Sequence, residues 1–432
     1  MNIINFIRDL FHQPYFVCLL AIITCTCYYY LESEKTKRRK IVWFFYSSIF
    51  AGTLVIFFAS AIYRIYHPEI WDFTAFYLYG KVAALGYNFY SPENFQTVFN
   101  SLQLPFSGLG GFKQAVLNVG FPYPPPTILY FVSLGYFSYK TALIIWTTFN
   151  LVILSGCIYL FHNLFFKDKK LNGLFLISIL VFIFLPCLST INFSQTNFIL
   201  LFLLLLTYKY SDRKFSGLFL AMAFFTKPYM IIFGFFFLLR MKWKTIVYCM
   251  ISALVFAGIT FAIFGKEPFT SYLFNNPSQR LPAYVFSESV NQSLHAVLLR
   301  NNIISLDSSS TFLYIVAGLF LLTTGYLIYL VRRKLYDYIW AVLLLVGLLV
   351  YPGTLSHYAV LLLFIIFQFF DNKRQLGFNP YLTVAITGIL FYLCTTSVFT
   401  AICFLLASVV LKSIRHMLKE NQFTNAVPGE NY

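Results

Sequence analysis

"SGLFLAMAFFTKPYMIIFGFFFLL", residues 216–239, is apolar and long enough to cross a bilayer once. It lies between two basic stretches, "SDRK" (211–214) and "RMKWK" (240–244). Lys and Arg collect in cytoplasmic loops, so both flanks belong on the same side. A single crossing cannot satisfy them. Pro228 lacks a backbone donor and disfavours helix at the residue before it. Two readings follow. Either two half-helices meet near Lys227 and the chain returns to its starting side, or one kinked span leaves a basic loop on the wrong side. The first is more economical. A broken helix at membrane depth survives only where it lines a cavity or packs within protein.

The whole chain supports a membrane setting. Of 432 residues, 59% are hydrophobic and only 11% charged, where a soluble protein carries about 25% charged residues. The mean hydropathy is +0.74. A water-soluble body is excluded, and an all-α polytopic membrane protein is expected, as a single domain over 1–432. Spans are expected near 14–31, 41–63, 139–165, 171–188, 193–209, 245–264, 311–331, 337–352, 354–370, 378–396 and 397–413. The net charge of +16 follows topology rather than nucleic acid. Basic clusters at 34–40, 167–170, 211–214, 240–244, 332–334, 372–374 and from Lys412 onward mark cytoplasmic loops. The tail 414–432 is assigned to the same side. Two long loops, 64–126 and 265–310, hold few basic residues and are read as external. All eight Cys lie in apolar runs and read as packing residues, not disulfides or metal ligands.

The polar chemistry gathers in the external loops. Glu69, Asp72, Glu93, Glu267, Glu288 and Asp307 all lie there, and no carboxylate falls mid-span. Ion-coupled carriers usually need intramembrane acids, so a secondary transporter is disfavoured. After Asp72, in "WDFTAFYLYGKVAALGYNFYSP" (71–92), apolar and aromatic residues recur at rough helical spacing. This predicts a short interfacial helix with its rings at headgroup depth, stopped by Gly86. "GFPYPPPTILYFVSLGYF" (120–137) predicts a second interfacial helix or half-helix after Pro126. The span that follows carries Ala142 and Trp146.

These motifs, in order, resemble the GT-C membrane glycosyltransferases, and most closely glycosyltransferase family 87, the polyprenyl-phosphate-mannose-dependent mannosyltransferase type. The family's D-F-x-x-Y-Y, G-x-x-x-Y-[DS]-P and Y-P-P are matched here by "DFTAFY", "GYNFYSP" and "YPPP". Its G-Q-x-N, helix-breaking K-P, N-x-S and S-W-x-H-H are matched by "SQTN" (194–197), "TKPY" (226–229), "NQSLHAVLLR" (291–300) and "TLSHY" (354–358). The similarity runs from about residue 64 to 370. Ser194 replaces the family's Gly, Tyr358 replaces its second His, and the helix and basic loop over 14–40 are an addition. The resemblance implies a GT-C-like bundle of about 11–13 transmembrane helices. It also implies inverting transfer of a hexose, mannose, from a polyprenyl-phosphate donor to a lipid-linked or cell-envelope acceptor on the outer face. Alternatives are a lipid or solute transporter or flippase, and a GT-C enzyme with another lipid-linked donor such as arabinofuranose. The setting expected is a bacterial inner membrane, with the active face periplasmic or extracellular.

Such chemistry assigns roles. Inversion needs a base on the acceptor hydroxyl opposite the leaving phosphate. Asp72 fits by position, though it also fits as a cap of the helix that it precedes. The leaving phosphate needs positive charge and donors rather than a general acid. His357, Lys227 and Arg300 are the candidates, against the readings that His357 is a bystander, that Lys227 snorkels, and that Arg300 marks a helix end. Gln195 and Asn197, like Asn291 and Gln292, either hold sugar hydroxyls or satisfy loop backbone. Tyr77 and Tyr123 complete the candidate substrate contacts. No D-x-D, Walker loop or zinc-ligand spacing is present in the sequence, so no cofactor and no metal are expected. The expected partners are the lipid-linked donor, a lipid or glycan acceptor and membrane lipids, and no nucleic acid. By this topology, a Lys81→Cys variant reacts with an impermeant thiol reagent from outside intact cells, and a Met241→Cys variant reacts only after permeabilisation.

Overall fold

Residues 216–239 form a hairpin, not a rod. An unbroken helix of that length would part its ends by about 36 Å. In the computed structural model the flanking residues meet instead. Asp212 Oδ1 lies 3.1 Å from both Arg240 Nη1 and Lys242 Nζ. The structure describes residues 14–33, 39–68, 72–102, 104, 106, 109–275, 288–305, 309–370, 381, 386–387, 390 and 397–425. Among these there are helices and one isolated bridge, and no strand.

In chain order the helices are α1 (Pro14–Ser33), α2 (Arg39–Tyr66), α3 (Asp72–Ala84), α4 (Pro92–Ser101), α5 (Leu109–Val119), α6 (Tyr139–Phe165), α7 (Lys170–Ile183), α8 (Leu185–Asn192) and α9 (Asn197–Lys209). They continue with α10 (Ser216–Thr226), α11 (Gly234–Leu239), α12 (Trp243–Phe264), α13 (Glu267–Phe274), α14 (Leu294–Arg300), α15 (Ser309–Arg332), α16 (Tyr336–Val350), α17 (Leu362–Phe369) and α18 (Ser397–Asn425). Among the described residues five helices are long and apolar enough to cross a membrane, and six if the bent pair α7–α8 counts as one span. Six shorter apolar helices accompany them. Several of the expected spans are short helices among the described residues, because their apolar runs are broken by proline or begin as 3-10 turns. The run 171–188 bends by 60° at Phe184, where α7 meets α8, two residues before Pro186. The run 193–209 is helical only from Asn197, and 354–370 opens as a 3-10 helix over Ser356–Leu361. Most of the expected span 378–396 lies outside the described residues, as do Glu69, Trp71, Asp307 and Cys394.

The hairpin is built from local chemistry. α10 ends at Thr226, and Lys227 takes an extended backbone, φ −150° and ψ 113°, as a residue before proline must. A 3-10 turn, Pro228–Phe233, and α11 lead back. Breaking the ladder frees the carbonyl of Phe225, which the Thr127 hydroxyl meets at 2.5 Å. Gly217 lets α10 press onto α12, since a Cβ there would sit 2.3 Å from the carbonyl oxygen of Thr245. Both basic flanks thus lie on one side, as the charge pattern requires.

The extra N-terminal helix is docked, not loose. Lys169 pairs with Glu32 at 2.8 Å, and Asn172 Nδ2 donates to the other Glu32 oxygen at 3.3 Å. At the opposite end, Asn88 of the first long loop bonds Ser271 of the second at 2.9 Å.

α3 corrects an expectation. Phe73, Phe76, Tyr77 and Tyr79 are buried in protein, so its rings serve packing and not a headgroup layer. α3 presses against the 3-10 helix Val132–Tyr136, which stands with Pro125–Tyr130 where an interfacial helix was expected. A Cβ on Gly80 would lie 2.3 Å from the Phe131 carbonyl oxygen, and one on Gly135 would lie 2.5 Å from the Gly80 carbonyl oxygen. Phe76 stacks on Phe131 at 4.6 Å. Gly86, at φ +79°, ends this segment as expected. Gly80→Ala and Gly135→Ala are each expected to destabilise the protein by about 1–3 kcal/mol through overpacking, read as a lowered melting temperature in detergent. Gly110→Ala, with no atom within 4 Å of its new methyl, should leave it unchanged.

Candidate active site

The apex of the hairpin carries the site. α10 rises about 16 Å from the basic-loop end before it stops at Lys227. The Lys227 side chain is fully buried. Its ammonium donates to the Tyr123 hydroxyl at 2.9 Å and to the Tyr358 hydroxyl at 2.5 Å. It also stands 5.0 Å and 4.2 Å from the centroids of those two rings. Lys227 therefore does not snorkel. Around it, Tyr358 stacks with Tyr229 and Tyr351, both at 6.3 Å. The buried Tyr229 hydroxyl has no hydrogen-bond partner.

Asp72 opens α3, half-buried. Its charge acts through space on Lys227, Tyr123 and Tyr358, so the carboxylate lies within electrostatic range of the ammonium. Burial, with Tyr351 and Asp72 adding to it, pushes the Tyr123 phenol well above its ordinary value. Tyr123 thus stays protonated and gives Lys227 a lone pair, not a countercharge. The Tyr123 carbonyl is held in turn by the Tyr90 hydroxyl.

His357 precedes Tyr358 and is buried, with Nε2 unpartnered. Its carbonyl accepts from Asn197 Nδ2 at 3.2 Å. Gln195 and Thr196 share the turn before α9, both buried. That turn depends on Ser194, whose φ is +50°, where glycine is the natural occupant. The Trp146 indole donates to the Ser194 carbonyl at 2.7 Å and holds the turn.

The structure brings Asp72, Lys227, Tyr123, His357, Asn197 and Gln195 to one end of the bundle. It employs the remaining candidates elsewhere. The Tyr77 hydroxyl donates to the Phe137 carbonyl at 3.0 Å. Asn291 Nδ2 donates to the Pro352 carbonyl at 2.8 Å, and the Gln292 backbone N–H donates to the Thr354 carbonyl at 2.7 Å. Asn291 also bridges Leu355. The Arg300 guanidinium donates to the carbonyls of Glu288 and Asn291, both at 2.7 Å. The "NQS" segment is thus a clamp on the strand of chain that leads into His357 and Tyr358. Tyr358 was read from the sequence only as a departure from a pattern, yet it holds Lys227. Tyr229 was missed altogether, and its place directly after the Lys-Pro break was the available signal.

Residues 121–355 match the model of glycosyltransferase family 87. The chain belongs to glycosyltransferase family 87. The matched segment holds Tyr123, the "SQTN" turn, Lys227 and the "NQS" clamp, and it leaves Asp72 and His357 outside. No curated protein and no solved structure matches the chain significantly. Membership decides between the enzyme and the transporter: this family 87 protein is a multi-pass membrane glycosyltransferase.

The strained turn gives a direct check. Ser194→Gly should be neutral or slightly stabilising, whereas Ser194→Val, with a β-branched residue at positive φ, should destabilise by about 1–2 kcal/mol. Thermal unfolding of the detergent-solubilised variants reads both.

Proposed function

We propose that this enzyme transfers a hexose, mannose, from a polyprenyl-phosphate donor to a hydroxyl of a lipid-linked or envelope acceptor, with inversion, at the outer face of a bacterial inner membrane. The observation that carries the proposal is the fully buried Lys227 ammonium, hydrogen-bonded among the described residues only to phenols and within electrostatic reach of Asp72. A buried cation held by neutral groups is a site for an anion that arrives with the substrate.

The steps follow from position. The donor phosphate lies against Lys227, with the Tyr229 hydroxyl a spare donor for one of its oxygens. Tyr358 and Tyr123 keep the ammonium aimed. The Asp72 carboxylate accepts the proton of the acceptor hydroxyl as that oxygen attacks the anomeric carbon. The bond from anomeric carbon to phosphate oxygen breaks on the opposite face, and its electron pair leaves with the phosphate. Lys227 stabilises the charge that develops there. No step needs a metal. The clamp through Asn291 and Arg300 keeps the segment bearing His357 and Tyr358 in register with Lys227.

Purified protein, polyprenyl-phosphoryl-mannose and lipid acceptors test the reading. The wild type should transfer the sugar. Asp72→Asn should lose about a thousandfold in kcat/KM, and Lys227→Met about a hundredfold or more. Rates equal to wild type in both variants would remove these residues from the chemistry.

A further inference from the structure

The turn before α9 carries an unusual set of buried, unsatisfied oxygens. Among the described residues Gln195 Oε1, Thr196 Oγ1 and Asn197 Oδ1 have no hydrogen-bond partner, although the three residues are 3%, 2% and 0% exposed. Such groups are costly unless something meets them. For Asn197 the orientation is dictated by its surroundings. Its other end faces the His357 carbonyl at 3.2 Å, a group that only accepts, so the NH2 must point there and Oδ1 away. Thr196 occupies the N-cap position of α9, yet its hydroxyl makes no cap hydrogen bond. Two of the three oxygens belong to amides and can only accept. Carbonyl oxygens repel an anion and favour a ligand that donates.

The cluster adjoins the cation. Asn197 grips the His357 carbonyl, and the next residue, Tyr358, holds Lys227. The charge of Lys227 also acts on the His357 ring, whose Nε2 is unpartnered. The 356–361 segment thus meets the ammonium through Tyr358 and the 195–197 turn through the His357 carbonyl, which sets the unpartnered oxygens next to the residues around Lys227. A phosphate and a hydroxyl-bearing group joined in one ligand would fit the pair.

We infer that residues 195–197 form a glycosyl-hydroxyl site, taking a neutral polyhydroxylated sugar, with Thr196 as a specificity-determining residue. This rests on the glycosyltransferase reading of the site. The Gln195, Thr196 and Asn197 oxygens accept from ring hydroxyls, and a carboxylate-bearing sugar is rejected by the same oxygens. The chemistry is shared by the sugar of the donor and by any sugar on the acceptor, and the measurement separates them.

The test uses full-length protein in lipid nanodiscs. Binding of polyprenyl phosphate and of polyprenyl-phosphoryl-hexose is measured for the wild type, Thr196→Val, Thr196→Ser and Gln195→Leu, together with KM for donor and for a glycosylated acceptor. Thr196→Val and Gln195→Leu should each weaken the glycosylated donor about fivefold to tenfold, as for one lost hydrogen bond. Polyprenyl phosphate should bind unchanged, and Thr196→Ser should behave as wild type. A rise confined to the acceptor KM would support the site and assign it to the acceptor's sugar. Equal weakening of both lipids, or no change in either lipid together with an unchanged acceptor KM, overturns the inference, since a purely structural role would not distinguish them. Transfer from a uronosyl donor as fast as from the neutral hexosyl donor overturns the neutral-sugar assignment. A wild type that binds both lipids but transfers nothing sinks the proposed function and leaves the binding comparison to judge the inference. A wild type that binds neither lipid sinks both.

Discussion

Everything near the site is arranged around one buried ammonium. A lysine inside an apolar bundle loses its hydration, a cost of several kcal/mol. Two phenol oxygens and the faces of two rings offset part of that cost for Lys227. They do not supply a negative charge. Each neighbouring feature serves to keep the ammonium where it is. The Pro228 break puts it at the tip of a hairpin, Thr127 satisfies the carbonyl that the break frees, and the paired ends at Asp212 and Arg240 close the hairpin.

The packing around the hairpin shows the same economy. Gly217, Gly80 and Gly135 allow backbones to approach where any side chain would collide. Small residues at close crossings are a common way for helices to associate without a hydrophobic driving force from solvent. Here the Gly80–Gly135 contact draws α3, and with it Asp72, against the 3-10 helix Val132–Tyr136. That close backbone contact fixes where α3, which Asp72 opens, can lie. The second long loop works from the other side, where Asn291, Gln292 and Arg300 spend their polar groups on backbone carbonyls and steady the approach to Tyr358.

Much of this was legible in the residues. The re-entrant hairpin follows from charge on both flanks and a proline in the middle, because the positive-inside bias and the missing amide are local properties. The left-handed turn at Ser194 stands where the family carries glycine, and the backbone explains the preference. Other features were not legible. The amides of Asn291 and Asn197 have identical chemistry, yet one is consumed by a loop and the other keeps a free oxygen. Nothing in sequence spacing distinguishes them, since the difference lies in which carbonyl stands opposite. The aromatic residues of α3 gave a pattern fit for either a membrane interface or a protein core, and packing against Val132–Tyr136 chose the core.

Composition determined the class of the protein, basic flanks around a central proline required the hairpin, and the ordered motifs pointed to the family. These depend on transfer free energies and on short-range backbone rules that act residue by residue. Only the tertiary structure decided that Lys227, Tyr123, Tyr358 and Asp72 form one electrostatic unit. Those residues come from positions 72, 123, 227 and 358, and a charge in a low-dielectric interior is governed by whatever lies within a few ångströms of it, which no one-dimensional pattern records.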